Sequence, residues 1–167
     1  MPAQAGSDRT LKRMGRRYTR AQYIDLVNRM RAAIPDIAIT SDFIVGFPGE
    51  TEEDFAETLS LVEEVRFDSS FMFMYSPRIG TPATRLKDQV PEEVKKDRIH
   101  RLIALQTRIS HEINQEMVGR TVEVLVEGES HKDPERLSGR TPGNKLVVFR
   151  GAPDLIGQIV RVRITEA

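Results

Sequence analysis

Ile39-Thr40-Ser41-Asp42-Phe43-Ile44-Val45-Gly46-Phe47-Pro48-Gly49-Glu50-Thr51-Glu52-Glu53-Asp54-Phe55 reads as a strand, a glycine turn and a capped helix in immediate succession. Ile37 to Phe47 is apolar apart from Thr40, Ser41 and Asp42, as expected of a parallel strand covered on both faces. Thr51 and Asp54 form a variant capping box that opens a helix to about Val65, with Phe55, Leu59 and Val62 on one side. Glu52, Glu53 and Asp54 suit the positive end of its dipole. Phe67 to Tyr75 alternates and is rich in aromatic residues, which predicts a second strand. Strand, helix and strand in that order imply a right-handed parallel βαβ unit, whose ligands sit at the C-terminal strand edge.

Two features of this run bear on chemistry. The turn Gly46–Thr51 gathers backbone N–H groups at a helix start, a geometry that suits an anionic or carboxylate-bearing ligand or simply makes a tight turn. Asp42 is a carboxylate in a strand read as buried, so it needs a partner or a ligand. It could accept from ribose hydroxyls or an amine, or pair with Arg16, Arg17 or Arg78.

Upstream, Ser7 caps a short helix from Asp8 to Met14, and Thr19 caps a second to about Ala33. Tyr23, Val27, Met30 and Ile34 form the apolar side of the second, while Arg20, Asp25 and Arg31 face water. The basic residues of this region could meet phosphates or form a solvated face. The Phe71/Phe73 and Met72/Met74 alternation is expected to pack in the core. A loop, Ser76 to Pro82, leaves the second strand beside the glycine turn. Pro91 starts a long helix to about Met117, with Val94, Leu102, Leu105, Ile109 and Ile113 on its apolar side. From Gly119 the pattern changes: Val122, Val124 and Val126, then Leu146–Phe149, then Gln158–Ile164 read as strands separated by Gly128, Gly139, Pro142-Gly143 and Gly151. The expected organisation is an α/β part, residues 1–117, and a small antiparallel β-barrel domain, residues 118–167, of the kind that binds oligonucleotides.

The 167 residues carry 25 basic and 25 acidic side chains, so net charge gives no argument for nucleic acid. Hydrophobic residues at 39% suffice for a core. No apolar stretch approaches the roughly 20 residues of a membrane span and no secretory leader is visible, so the expectation is a cytoplasmic chain without membrane contact. There is no cysteine, which excludes thiolate metal sites, disulfides and cysteine nucleophiles within these residues. His100, His111 and His131 lack ligand spacing, and no metal site is expected.

The opening run, with Arg17-Tyr18-Thr19, Phe67-Asp68-Ser69 and Tyr75-Ser76-Pro77-Arg78-Ile79-Gly80-Thr81-Pro82-Ala83, resembles the radical S-adenosylmethionine methylthiotransferases. Gly119 to Gly128 and Leu137-Ser138-Gly139-Arg140-Thr141 resemble that family's TRAM module, a β-barrel implicated in tRNA binding. The resemblance implies the late strands of a partial (β/α)6 barrel followed by TRAM. It implies a transferase that adds a methylthio group at C2 of N6-isopentenyladenosine beside the anticodon. Its cofactors would be S-adenosylmethionine and two 4Fe-4S clusters, its partner a tRNA anticodon stem-loop, and its full-length form a monomer. Sister enzymes act on threonylcarbamoyladenosine or on a ribosomal protein. Ser41-Asp42, Tyr75–Arg78 and Leu137–Thr141 look more like the isopentenyladenosine branch.

By the same resemblance, Gln4, Arg16 and Asp42 would reach the nucleoside or methionyl part of the cofactor. Ile44 would pack on its adenine, and Tyr75 and Arg78 would close the pocket. Arg120, Arg140, Asn144 and Lys145 would contact RNA. The chain departs from the family in lacking the Cys-x3-Cys-x2-Cys motif and the cysteines of the second cluster. Pro2-Ala3-Gln4-Ala5-Gly6-Ser7 stands where the family reads Pro-x-Gln-Ser-Gly-Ser. The resemblance thus implies a C-terminal portion of the enzyme, ending before the last TRAM strand and inactive alone. A cluster-free RNA-binding module is the alternative.

Overall fold

The computed structural model describes residues 2–167, which form a first unit up to His111 and a second from Glu112 to Ala167. The first contains α1 (Asp8–Arg13), α2 (Arg20–Ala33), β1 (Thr40–Val45), α3 (Glu52–Val65) and β2 (Ser69–Met74). It also holds most of α4 (Glu92–Gln115). β1 and β2 pair in parallel, Thr40 opposite Ser69 through Val45 opposite Met74, and a parallel bridge joins Gln4 to Phe43 on the other side of β1. The expected βαβ unit is present.

Side chains at opposite positions of a parallel pair share a face. Ser41, Phe43 and Val45 are buried, and with Ser70, Met72 and Met74 they make the face that the helices cover. There Phe43 meets Phe67 edge-on at 5.5 Å between ring centres, and Tyr23 lies 6.3 Å from Phe67. Ser70 donates to Gln106 of α4 at 2.9 Å, which ties β2 to that helix. The strand β1 is therefore not covered on both faces. Asp42 and Ile44 are only half-buried, and their partners Phe71 and Phe73 are 67% and 53% exposed. Assigning Phe71 and Phe73 to the core is thus corrected: their row lies on the uncovered face.

The helix caps form as expected. Ser7 accepts from Thr10, and the Thr19/Gln22 and Thr51/Asp54 boxes are both closed. Asp54 also accepts from the Ser7 hydroxyl at 2.6 Å and pairs with Arg9. Burial alone would raise its pKa, but the bonds from Ser7 and Thr51 and the Arg9 charge hold it below the ordinary range. Gly6 is packed so closely on α3 that a Cβ would lie 2.3 Å from the Glu57 carbonyl oxygen. Three helix-face expectations change. Ile34 is the exposed C-cap of α2, and Arg20 is half-buried, donating to the Glu57 carbonyl, Ser60 and Glu64. The buried side of α4 is Lys95, Arg98, Leu102, Gln106 and Ile109, so three of its five positions are polar.

The second unit is a curled half-barrel sheet in the order β5-β4-β3-β6, all antiparallel. Its strands are β3 (Thr121–Ser130), β4 (Asp133–Arg140), β5 (Leu146–Phe149) and β6 (Ile159–Arg163). Val124, Val147 and Ile164 centre its core, with Met117, Phe149 and Val162 packed around them. Sequence periodicity missed β4, whose first half is polar and contains Pro134. Gly128 is not a turn but lies at a register shift inside β3, where a bulge bends the strand.

Phe43→Ala should cost about 3–5 kcal/mol, because it removes a fully enclosed ring. Phe71→Ala should fall within about 0.5 kcal/mol of the parent chain. Urea titration of the two variants checks the assignment of the faces.

Candidate functional site

The uncovered face of β1–β2 carries Asp42, Ile44, Phe71 and Phe73 as two adjacent opposite pairs. Among the described residues the Asp42 carboxylate has no hydrogen-bond or ion partner, so the pairing with Arg16, Arg17 or Arg78 is not formed. Beside it Gln4, at φ 66, donates its N–H to the Asp42 carbonyl and accepts from Ile44 N–H. Arg16 donates to Gln4 Oε1 at 2.9 Å. Gln4, Arg16, Asp42 and Ile44 are thereby held close together.

Tyr75 follows β2 directly and donates its N–H to the Val45 carbonyl at 2.8 Å. Its ring is buried edge-on against Phe47 at 5.2 Å, with the Lys95 ammonium 5.6 Å from its centre. Its hydroxyl is buried and has no hydrogen-bond partner among the described residues. An orphaned buried hydroxyl at a C-terminal strand end is a group suited to a ligand. Arg78 is exposed in the loop beyond.

The glycine turn behaves differently from an anion cradle. Gly46 N–H donates to Glu50 Oε1 at 3.1 Å, Gly49 N–H to the Asp88 carbonyl at 2.7 Å, and Glu50 N–H to Phe47 at 2.9 Å. At the start of α3 the capping box takes up the N–H groups of Thr51 and Asp54. The Gly46, Gly49 and Glu50 donors are thus occupied within the protein, as in a tight turn. Gly46 sits at φ 69 with the Lys95 stem so close that a Cβ would meet Cγ at 2.3 Å. Glu50 is buried with Arg98, which donates to its carboxylate at 2.9 Å and to its carbonyl at 3.2 Å. Burial pushes the Glu50 carboxyl above the ordinary range, against the pull of Gly46 N–H and Arg98.

In the second unit the β4–β5 turn brings Arg140, Asn144 and Lys145 together. Asn144, at φ 61, accepts from Arg140 Nη1 through its carbonyl at 3.2 Å and its side-chain oxygen at 3.1 Å. Glu127 lies 3.4 Å from the Arg140 guanidinium. Arg120 precedes β3 and stands apart, about 17 Å along that strand from Leu125, the partner of Arg140. Sequence reasoning missed a groove of about 660 Å³ between β5 and the β6 end, which carries Arg136, Lys145, Arg150 and Arg163 around Phe149. Its basic residues are scattered through the sequence and become neighbours only when the sheet curls.

Comparison with known proteins follows the same division. Residues 1–62 match the Radical SAM superfamily and residues 115–167 match the TRAM domain. The tRNA-2-methylthio-N(6)-dimethylallyladenosine synthase of Carboxydothermus hydrogenoformans is 57% identical over 166 residues, 99% of this chain and 38% of the relative. Those of Acetivibrio thermocellus and Geobacillus thermodenitrificans are 57% and 56% identical over 98% and 100% of this chain, and 34% and 32% of their own lengths. The chain thus spans about a third of the curated relatives it matches.

Because the Glu50 pKa is raised, its contribution to stability is fully present below about pH 4.3 and declines as pH rises through the raised value. Glu50→Gln should remove that decline and stay within about 1 kcal/mol of the parent at pH 7, since the amide still accepts from Gly46 and Arg98. Glu50→Ala should cost about 3 kcal/mol, leaving a buried donor and a buried guanidinium unmatched. Urea midpoints between pH 4 and 8 separate the three chains.

Proposed function

We propose a function for a chain that is homologous over its whole length to part of the MiaB-type tRNA methylthiotransferases, the tRNA-2-methylthio-N(6)-dimethylallyladenosine synthases. It supplies the adenosyl side of an S-adenosylmethionine pocket and an RNA-holding module for 2-methylthiolation of a tRNA adenosine carrying an N6-dimethylallyl group. The observation that carries this reading is the Asp42 carboxylate midway along β1 on an open sheet face, unpartnered among the described residues and three positions before the C-terminal end of the strand.

The residues fit the cofactor on chemical grounds. Asp42 accepts from its hydroxyls or its amine, and Ile44 offers an apolar surface to its adenine. Gln4 and Arg16, already bonded to each other, face its polar end. The orphaned Tyr75 hydroxyl and Arg78 close the pocket at the end of β2. When bound, S-adenosylmethionine supplies the hydrogen-abstracting and methyl-donating chemistry that methylthiolation requires. Iron–sulfur clusters do not fit these residues: with no cysteine, the chain holds none of the thiolates that bind them. Their ligands would lie elsewhere in a full-length enzyme, and this chain alone has no activity. A tRNA substrate makes the cytoplasm its place of action. No helix among the described residues is long and apolar enough to cross a membrane.

The second unit serves the same reading. Arg140, held on Asn144, shapes the turn that presents Lys145 towards the basic groove, and these residues with Arg120 meet RNA phosphates.

Replacing the matching 166 residues of the Carboxydothermus relative with this chain tests the proposal. The chimaera, reconstituted with iron and sulfide, should methylthiolate tRNA, whereas the chain alone should release no 5′-deoxyadenosine. Asp42→Asn in the chimaera should lower S-adenosylmethionine cleavage about 10- to 100-fold, the loss of one charge-assisted hydrogen bond. An unchanged rate would remove Asp42 from the pocket. For RNA, Lys145→Ala and Arg140→Ala should each weaken anticodon stem-loop binding and reduce its salt slope by about one. Binding insensitive to salt and to both substitutions would sink the RNA role.

A further inference from the structure

The loop that leaves β2 is built as a braced finger with an apolar tip. The Thr81 N–H and the Thr81 hydroxyl both donate to the Arg78 carbonyl, at 3.1 and 2.8 Å, closing a turn with Ile79 and Gly80 at its corners. Gly80 takes φ 86, the left-handed value that the third position of a type II turn requires. A short 3-10 helix, Pro82–Arg85, follows, and the Thr84 hydroxyl donates to the Thr81 carbonyl at 2.7 Å. Both ends of the finger are anchored. Tyr75 is tied to Val45, and Asp88 accepts from Gly49 N–H through its carbonyl and from Arg13 through both carboxylate oxygens, at 2.8 and 2.6 Å. Ile79, at the corner, is 104% exposed. A single exposed apolar side chain is ordinary. This one is held out on a braced turn four residues beyond Tyr75, and so within about 14 Å of it along the chain. Arg85 and Lys87 are exposed on the same finger with no acidic partner among the described residues, while Asp88, its one acid, is matched by Arg13.

We propose that Ile79 is a wedge that enters the base stack of the tRNA loop where the target adenosine leaves it, with Arg85 and Lys87 on the flanking phosphates. The inference rests on the tRNA-methylthiotransferase reading and adds how its substrate is opened. The relatives' name puts the new group at position 2 of the adenine, a ring carbon. An enzyme that reacts on a base takes that base out of its stack. The gap left behind either collapses, drawing the base back, or is filled by an apolar side chain such as isoleucine. Ile79 has what filling requires. It carries no polar atom to strand between base faces, and its branched Cβ leaves it few rotamers. It already stands in water, so insertion buries apolar surface without unpacking anything. One isoleucine is too little surface to hold a protein partner or a bilayer. The basic flanks match a polyanion.

The test uses the chimaera described above and an anticodon stem-loop with 2-aminopurine at the target position, a base whose fluorescence rises when it leaves a stack. Binding to the parent chimaera should raise that fluorescence severalfold. Ile79→Ala should remove most of the rise, and Ile79→Leu should restore it. On the prenylated stem-loop Ile79→Ala should lower kcat/KM about tenfold, the loss of one buried aliphatic side chain. S-adenosylmethionine cleavage without RNA should not change. A second stem-loop, abasic next to the target on its 3′ side, has lost the stacking neighbour beforehand. On it Ile79→Ala and the parent should react alike. Arg85→Ala and Lys87→Ala should each reduce the salt slope of binding by about one. Equal fluorescence, or equal kcat/KM, for Ile79→Ala and the parent on the intact loop overturns the proposal. So does a loss of the same size on the abasic loop, because Ile79 would then be packing on protein and not between bases. Any of these results with Asp42-dependent cleavage intact defeats this inference only. A chimaera that neither cleaves S-adenosylmethionine nor binds the stem-loop defeats the functional reading beneath it as well.

Discussion

Everything in the first unit follows from how β1 and β2 lie side by side. Parallel pairing puts Phe43 and Val45 in line with Met72 and Met74, and the helices cover that face because its side chains are apolar and fit beneath them. The same register obliges Asp42, Ile44, Phe71 and Phe73 to share the other face. A slip of one residue in β2 would send Phe71 inward and Met72 outward, so the site and the core are specified by a single alignment. The Gln4 bridge adds a third backbone segment to the sheet and delivers Gln4 and Arg16 to the same edge.

The glycine turn after β1 keeps that alignment in place. Its donors close on Glu50 and Asp88, and Lys95 and Arg98 of α4 reach into it from the opposite side. Burying Glu50 and Arg98 is costly, and the raised Glu50 pKa records that cost. The pair is consequently a device for fixing position more than a source of stability. It locks the end of β1 against α4, where Tyr75 is packed between Phe47 and Lys95 with its hydroxyl unmet. A turn that in sequence suits either an anionic ligand or a tight turn thus works as a clasp between β1 and α4.

The second unit gathers its basic residues by curvature. Bulges in β3 bend the sheet so that β5 and the end of β6 face each other across a basic groove. Net charge in the chain is zero, and the positive groups matter only where the fold gathers them.

Local signals carry far in this chain. Ser7, Thr19 and Thr51 mark three helix starts, and alternation marks β2, β3, β5 and β6, because caps and periodicity are short-range physics written within a few residues. The absence of cysteine is enough by itself to exclude a thiolate-held cluster from these residues. What the sequence could not show was direction. Alternation says that Phe71 and Met72 point opposite ways, but not which of them meets a helix. An apolar run such as Ile37–Phe47 reads as doubly covered whether or not a second layer exists. Asp42 draws notice as a carboxylate out of place, yet only the packing shows that it lies on an open face without a partner among the described residues. The donors of Gly46 and Gly49 look available until Glu50 and Asp88 are placed against them, one from within the turn and one from a distant loop. Sequence determined the elements and the chemistry excluded from them. Tertiary structure alone decided which faces close and which stay open, because burial depends on neighbours that no local pattern encodes.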